Sequence, residues 1–238
     1  MNKITMKFLA SACGIVASGF AGSAVAQVPP YYSWEAASEF DDTSNANGNN
    51  VGNVNCSAPT FNQPWCYGWE PAGGIGTGFT PFTFQMVRVP GVIQGWGLNN
   101  TNSLAIVHNM TSIPQAPAGQ PQYASHALDF LPGNGCEYAV LRFYAPYKAK
   151  YKISGQFYGL WLDNNGYENA DVHIYVNNVS VYNSLIDMHN QPTHVSFTVT
   201  PAFASPPNGT IDFIVGCGTN NDNYYDHVGL NAVIERLR

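Results

Sequence analysis

The stretch from residue 138 to residue 160, YAVLRFYAPYKAKYKISGQFYGL, constrains the fold more than any other part of the chain. Apolar side chains occupy alternate positions before Pro146, and the alternation resumes after it, opposed there by lysine, serine and glutamine. A period of two on both sides of a proline-marked turn predicts a β-hairpin with one buried and one wetter face. Because a hairpin alone is only marginally stable in water, the rest of the chain must supply strands that cover its apolar face.

Other segments repeat this pattern at intervals of about ten residues. Alternation is clearest in 172–176, 195–200 and 211–215, and Asn177-Asn178 is typical of a tight turn between two strands. Glycine, proline and asparagine separate the segments, and no helical periodicity of useful length is present. The sequence therefore predicts an all-β fold, an antiparallel β-sandwich of jelly-roll type, in a single domain spanning 27–238.

The first 26 residues have the features of a secretory signal peptide. Lys3 and Lys7 precede an apolar run, and Ala24-Val25-Ala26 is a typical cleavage site. We therefore expect a secreted, extracellular or periplasmic protein, and no apolar stretch is long enough to predict a transmembrane segment. The net charge of −6 becomes more negative when the leader is removed, which argues against nucleic acid and anionic membranes as partners.

Four cysteines remain beyond the leader, and an even number in an exported chain predicts two disulfides. Three pairings are possible. We favour Cys56 with Cys66, which closes a short loop, and Cys136 with Cys217, which would tie two strand ends. A zinc site is the weaker alternative because no C-x-x-C pair is present.

The mature chain resembles a secreted bacterial β-sandwich domain found in exported proteins of the PEP-CTERM type. That domain is similar in outline to galactose-binding-like and carbohydrate-binding jelly rolls. The resemblance rests on YAVLRF (138–143), YKISGQF (151–157), DVHIYVN (171–177), TIDFIVG (210–216) and DHVGL (226–230), with Glu39-Phe40 and 65–68 near the start. It implies the fold more than the activity, because such folds host many functions.

Two loops at predicted strand ends combine aromatic and polar side chains, as a shallow sugar site requires. Sugar rings stack on aromatic faces, and their hydroxyls form hydrogen bonds with Asn and Asp. The candidate ligand-binding residues are Tyr158, Trp161, Asp163, Asn165, Tyr167, Asp222, Tyr224 and Tyr225. The alternative is that the aromatic residues cap the core and the asparagines serve turns.

A structural calcium is the one cofactor that the sequence suggests, since jelly rolls of the resembling kind often hold one. Calcium takes six to eight oxygen ligands, and the candidate ligands are Glu39, Asp41, Asp212 and Asp226. No EF-hand spacing is present. Capping and turn carboxylates are the competing interpretation.

Three function classes follow from these observations. A non-catalytic secreted module that binds a carbohydrate is favoured. The second is a structural or adhesive protein whose partner is the cell-surface matrix. The third is a polysaccharide hydrolase or lyase, for which Arg142, Tyr144 and His173 could act on a sheet face. No G-x-S-x-G motif is present, and no carboxylate pair suggests glycoside hydrolysis, so an enzyme is less favoured.

Overall fold

The structure is a computed structural model of the 238-residue chain. It describes residues 32–40, 56, 63–99, 103–115, 122–161, 169–188, 194–205 and 209–237. The predicted signal peptide, 1–26, lies outside these residues. Among the residues that are described, no helix has the length and apolar character needed to cross a membrane.

The described residues contain fourteen strands in two sheets, and every pair of neighbouring strands is antiparallel. The strands are β1 (Ser33–Glu35), β2 (Trp65–Glu70), β3 (Thr80–Pro81), β4 (Phe84–Val89), β5 (Ile93–Gly97), β6 (Ala105–Asn109), β7 (Leu128–Leu131), β8 (Tyr138–Tyr144), β9 (Ala149–Gly159), β10 (Asn169–Val176), β11 (Val179–Asp187), β12 (His194–Ser205), β13 (Thr210–Gly216) and β14 (Val228–Leu237). The first sheet has the order β12-β9-β14-β7-β6-β5-β4, with β1 also paired to β14, and the second has the order β11-β10-β13-β8-β2-β3. The predicted antiparallel β-sandwich is confirmed.

The core lies between the two sheets because the alternating apolar side chains of both point into it. In the second sheet, Tyr67, Leu141, Phe213 and Ile174 are direct neighbours in register across four strands, and all four are fully buried in one cluster. The same cluster includes Phe157 from the first sheet. Burying an aromatic or aliphatic side chain of this size stabilises the fold by about 1.5–3 kcal/mol.

The predicted hairpin between β8 and β9 is wrong. Strand β8 pairs with β2 and β13 in the second sheet, whereas β9 pairs with β12 and β14 in the first. The turn around Pro146 therefore carries the chain from one sheet to the other. Alternation shows only that one face of each strand is buried. Two strands that face each other across the sandwich core meet that condition just as two strands paired in one sheet do.

The predicted turn at Asn177-Asn178 is present between β10 and β11. Both residues adopt left-handed backbone angles, with φ of 51° and 64°. Asparagine tolerates this region better than most residues, and two such residues in succession match the twist of a two-residue hairpin.

A second, smaller apolar cluster covers the outer face of the first sheet. It consists of Met86, Ile93, Ala105, Val107, Tyr123 and Leu131. Tyr123 comes from the segment after β6 and is joined to Gln115 by two backbone hydrogen bonds of 2.8 Å. Asp129 of β7 lies opposite Val107 in the register and is therefore on this outer face, where it is fully buried.

Candidate functional site

An open cleft of about 580 Å³ lies where β9 ends and β14 begins. Its lining combines aromatic rings with amide and hydroxyl groups: Ser103, Asn134, Trp161, Asn221, Asp222, Asn223, Tyr224, Tyr225 and His227. Loops held at the ends of strands are where rigid β scaffolds commonly place ligand contacts.

The pairing of β9 with β14 brings the aromatic side of the cleft together. The ladder continues past its last strand pair, because the amide of Leu160 donates to the carbonyl of His227 over 2.8 Å. Trp161 therefore follows directly beside the residues that precede β14. Its ring makes an edge contact with Tyr225 at a centroid distance of 4.9 Å and lies 5.3 Å from the His227 ring.

Tyr224 is the most accessible ring of the cleft. Its side chain is 70% exposed, whereas Tyr225 is 36% exposed and Trp161 is half-buried. Asp222 Oδ1 accepts from the amide of Tyr224 over 3.0 Å, which holds the turn that presents this ring. Tyr224 thus offers a flat, free face, while Trp161 offers a ring already supported by its neighbours.

The opposite side of the cleft is a network of amide and hydroxyl groups. Asn223 Nδ2 donates to Ser103 Oγ and, over 3.0 Å, to Asn134 Oδ1. The Ser103 hydroxyl donates to the carbonyl of Pro132 over 2.7 Å. Three separate segments are therefore tied together at this wall, and the Ser103 hydroxyl is already engaged as both donor and acceptor.

The loop that carries Asp222, Tyr224 and Tyr225 is anchored at its beginning by a disulfide. Cys217 is bonded to Cys136 with a Cα–Cα distance of 5.4 Å. Next to it, Asp171 Oδ1 accepts from the amide of Gly218 over 2.7 Å. The other disulfide joins Cys56 and Cys66 with a Cα–Cα distance of 5.0 Å, so the favoured pairing of the four cysteines is confirmed.

The structure brings four of the predicted ligand-binding residues to the cleft: Trp161, Asp222, Tyr224 and Tyr225. Tyr158 does not line it. Its ring is buried on the outer face of the first sheet, stacked on His194 at 5.7 Å, and any Cβ at position 229 would collide with it. Burial raises the pKa of Tyr158 to about 12. The other three predicted residues, Asp163, Asn165 and Tyr167, lie outside the described residues.

Other cleft residues gave no recognisable signal in the sequence. Ser103 and Asn134 belong to turns far from the aromatic loops, and His227 is one of six scattered histidines. Only the pairing of β14 with β7 and β9 puts them beside Trp161. The abundance of asparagine near residue 220 was the one sequence signal for the polar side of the cleft. Asparagine is as typical of turns as of a binding site, so this signal alone did not identify the site.

Two of the candidate calcium ligands have other partners. Both Asp212 carboxylate oxygens accept from Arg142, over 2.7 and 2.9 Å. Glu39 Oε2 accepts from the indole of Trp65 over 2.9 Å. Within the described residues no group of three His, Cys, Asp or Glu side chains is arranged to hold a metal ion. Asp41 lies outside those residues, and Asp226 is buried just before the cleft residue His227.

The groups considered for lyase chemistry lie on the outer face of the second sheet, where Arg142 contacts Tyr144 but His173 is paired with Asp171. Arg142 is held by Asp212, lies 4.0 Å from Glu70 Oε1, and stacks on the Phe79 ring. His173 Nε2 lies 2.6 Å from Asp171 Oδ2. Burial raises the pKa of Glu70, an effect opposed by its hydrogen bond from Gly76. This face therefore forms buried ion pairs beneath the loop that follows β2.

No family model matches the chain, and no curated protein matches it. The resemblance to the PEP-CTERM-type domain accordingly stays a prediction.

Solved structures similar to this chain include carbohydrate-binding modules and an arabinose-bound α-L-arabinofuranosidase, the latter with 11% identity, a TM-score of 0.36, and coverage of 71% of this chain and 27% of that one. One is CBM51 of Clostridium perfringens GH95 in complex with methyl-galactose, with 13% identity, a TM-score of 0.33, and coverage of 66% of this chain and 94% of that one. Another contains the CBM51-2 domain, in complex with GlcNAc, and the INT domains of Clostridium perfringens ZmpB. Its identity is 10%, its TM-score is 0.33, and the match covers 66% of this chain. This chain spans 30% of that structure.

A third is carbohydrate-binding module CBM36 in complex with calcium and xylotriose, with 16% identity, a TM-score of 0.29, and coverage of 52% of this chain and 86% of that one. Likenesses this weak carry no conclusion about function. The geometry of the cleft has to support any functional proposal by itself.

Proposed function

We propose that this protein is a secreted, non-catalytic module that binds a carbohydrate in the cleft beside Trp161. The observation that carries the proposal is the meeting of three aromatic rings with a wall of amide and hydroxyl groups in one open cleft. Exposed rings suit the apolar faces of sugars, and fixed amides suit their hydroxyls. Asp222 is the only carboxylate among the described lining residues, which fits a neutral ligand.

The same arrangement disfavours hydrolysis. Most glycosidases use a pair of carboxyl groups, one on each side of the scissile bond. The described lining of the cleft supplies only one carboxyl group, that of Asp222. A serine nucleophile needs a free hydroxyl beside a base, whereas Ser103 donates its hydrogen to Pro132. An adhesive role toward matrix remains the alternative, and a glycan of the matrix would use this same cleft.

A glycan array with the mature protein tests the proposal, followed by titration of the best binder into Tyr224→Ala and Trp161→Ala. We expect each substitution to weaken binding by about one to two decades, by analogy with the loss of a base-stacking ring of about 1–3 kcal/mol. The melting temperature of Tyr224→Ala should stay nearly unchanged because its ring is 70% exposed. Ile113→Ala, which removes another exposed apolar side chain away from the cleft, is the matched control.

Absence of binding to every glycan, or equal binding by Tyr224→Ala and wild type, would overturn the proposal. Repeating the array with a chelator separates the calcium hypothesis from it. Loss of binding only in chelator would show that a metal ion takes part in binding, while unchanged binding would rule out a metal requirement.

A further inference from the structure

His227 occupies a distinctive place in the cleft, between the aromatic rings and a buried carboxylate. Its Nδ1 lies 2.8 Å from Asp129 Oδ2, and its ring is packed against Trp161. Its backbone is held on both sides, by the bond from the Leu160 amide and by its own amide donating to the Tyr225 carbonyl over 2.7 Å. Since Nδ1 is engaged with Asp129, Nε2 is the ring nitrogen left for the cleft.

Asp129 is a fully buried side chain on the outer face of the first sheet. Tyr123 and Tyr158 lie near this side chain: burial raises the pKa of both hydroxyls, and the neighbouring Asp129 raises them further. Arg88 also acts on Tyr123, in the opposite direction. His227 Nδ1 is one hydrogen-bond partner of this carboxylate, and the Tyr123 hydroxyl is a second group directed at it.

A carboxylate only accepts hydrogen bonds, so the hydrogen in this pair must be carried by Nδ1 of His227. In the neutral ring the second nitrogen, Nε2, is then an acceptor. A buried partner on one nitrogen commonly sets the tautomer and orientation of a histidine in this way.

We propose that His227, with its tautomer set by Asp129, presents Nε2 to the cleft as the acceptor for one free hydroxyl of the carbohydrate. This deepens the proposed function and rests on it. The Asn134 and Asn223 side chains are tied to each other and to Ser103, so His227 adds a directed polar contact on the aromatic side. A site built to pair a hydroxyl rejects an analogue that lacks its hydrogen, because the site group is left unpaired. The cleft should therefore refuse a sugar whose hydroxyl at that position is methylated.

The tautomer is tested first, in the full mature chain without ligand. Nitrogen-15 NMR of the His227 ring at the pH of the binding assay should show hydrogen on Nδ1 and a free Nε2. A ring with hydrogen on Nε2, whether neutral or doubly protonated, overturns the proposal. Asp129→Asn, which has nearly the same shape, should lose this fixed tautomer.

The contact is tested with glucose, galactose, mannose and xylose, together with their mono-O-methyl ethers. For the sugar that binds, we expect one methyl ether to bind the wild type at least about tenfold weaker, the scale of one lost hydrogen bond. His227→Phe keeps a ring beside Trp161 but has no acceptor for a hydroxyl, so it should bind sugar and ether about equally. Unfolding in urea confirms that each variant is folded.

The outcomes separate the two proposals. If no sugar binds, the proposed function and this inference fail together. If a sugar binds and Tyr224→Ala weakens it, but His227→Phe still rejects the same methyl ether, the cleft binds carbohydrate and the role assigned to His227 is wrong. If His227→Phe does not fold, the nitrogen-15 spectrum of Asp129→Asn still decides whether Asp129 sets the tautomer of His227.

Discussion

Asp212 and Asp129 are both fully buried, yet the protein satisfies them in different ways. Asp212 accepts two hydrogen bonds from the flat guanidinium of Arg142 inside the strand ladder. Burial raises the pKa of Asp212, and the Arg142 guanidinium opposes that rise. Asp129 instead holds a histidine that opens onto the cleft. The first arrangement supports the fold, and the second links the fold to the site.

Replacing Arg142 by leucine should destabilise the protein strongly. The substitution leaves Asp212 buried without a counter-charge, which costs about 3–5 kcal/mol when one member of a buried pair is removed. The pKa of Asp212 in the folded variant should rise further above its unfolded value of 3.8. Between the unfolded pKa and the higher folded pKa of Asp212, the folded variant holds more protons than the unfolded chain. The stability of the variant therefore falls as the pH rises from about 3.8 through the folded pKa.

Urea unfolding at pH 4 and pH 7 measures this, and the deficit relative to wild type should be larger at pH 7. Lys152→Ala is the matched control, because Lys152 pairs with Glu235 over 2.8 Å with both side chains 39% exposed. An exposed pair contributes about 0–1 kcal/mol. If Arg142→Leu and Lys152→Ala lost the same free energy of unfolding, burial would not be what makes the Arg142–Asp212 pair costly to break.

At the scale of elements, the disulfides and the strand ends define the cleft. Cys217 directly follows the last residue of β13, and the loop from Cys217 to β14 carries Tyr224 and His227. The Cys136–Cys217 bond spans 81 residues, while Cys56–Cys66 spans 10 and lies away from the cleft lining. The two bonds therefore offer a comparison between a constraint on the site and one elsewhere.

Replacing both cysteines of either bond by serine should lower stability, by about 4 kcal/mol for the longer loop and about 3 kcal/mol for the shorter one in the chain-entropy model. Sugar affinity should fall only when Cys136 and Cys217 are replaced, because only that bond anchors the cleft loop. Urea unfolding and sugar titration of the two double variants measure both effects. Equal loss of affinity in the two variants would show that the disulfide does not shape the cleft.

For the whole molecule, one core joins the two sheets. Trp34 and Phe157 from the first sheet pack in the same cluster as Trp65, Phe143 and Phe213 from the second. Trp34 and Trp65 both make edge contacts with Phe143, with ring centroids 5.2 and 5.0 Å apart. Each sheet covers the apolar inner face of the other. We therefore expect the sandwich to unfold as one unit.

Phe213→Ala tests this expectation, because its fully buried ring contacts Phe157 and Phe197 of the first sheet. The cost should be about 3–5 kcal/mol for truncating a buried phenylalanine. Tryptophan fluorescence and far-ultraviolet circular dichroism should still report one coincident transition in both the variant and the wild type. Separate transitions by the two probes would show that the sheets unfold independently.

The sequence by itself determined the class of fold, because the period of two along 138–144 and 171–176 reports which face of a strand is buried. It also indicated Cys56–Cys66 and Cys136–Cys217, since one pair closes a short loop and the other ties strand ends. Trp161 and Tyr224 were recognisable as candidates because they stand at strand ends.

Only the tertiary structure decided which strands pair and which residues meet. Alternation is the same whether β8 and β9 lie side by side or face each other across the core, so the hairpin was wrong while the burial pattern was right. Tyr158 differs from Trp161 by three positions, yet it is buried over Gly229. His227 and Asp129 are 98 residues apart. Their contact depends on the register of β7 with β14, which comes from packing over the whole sheet and leaves no local trace in the sequence.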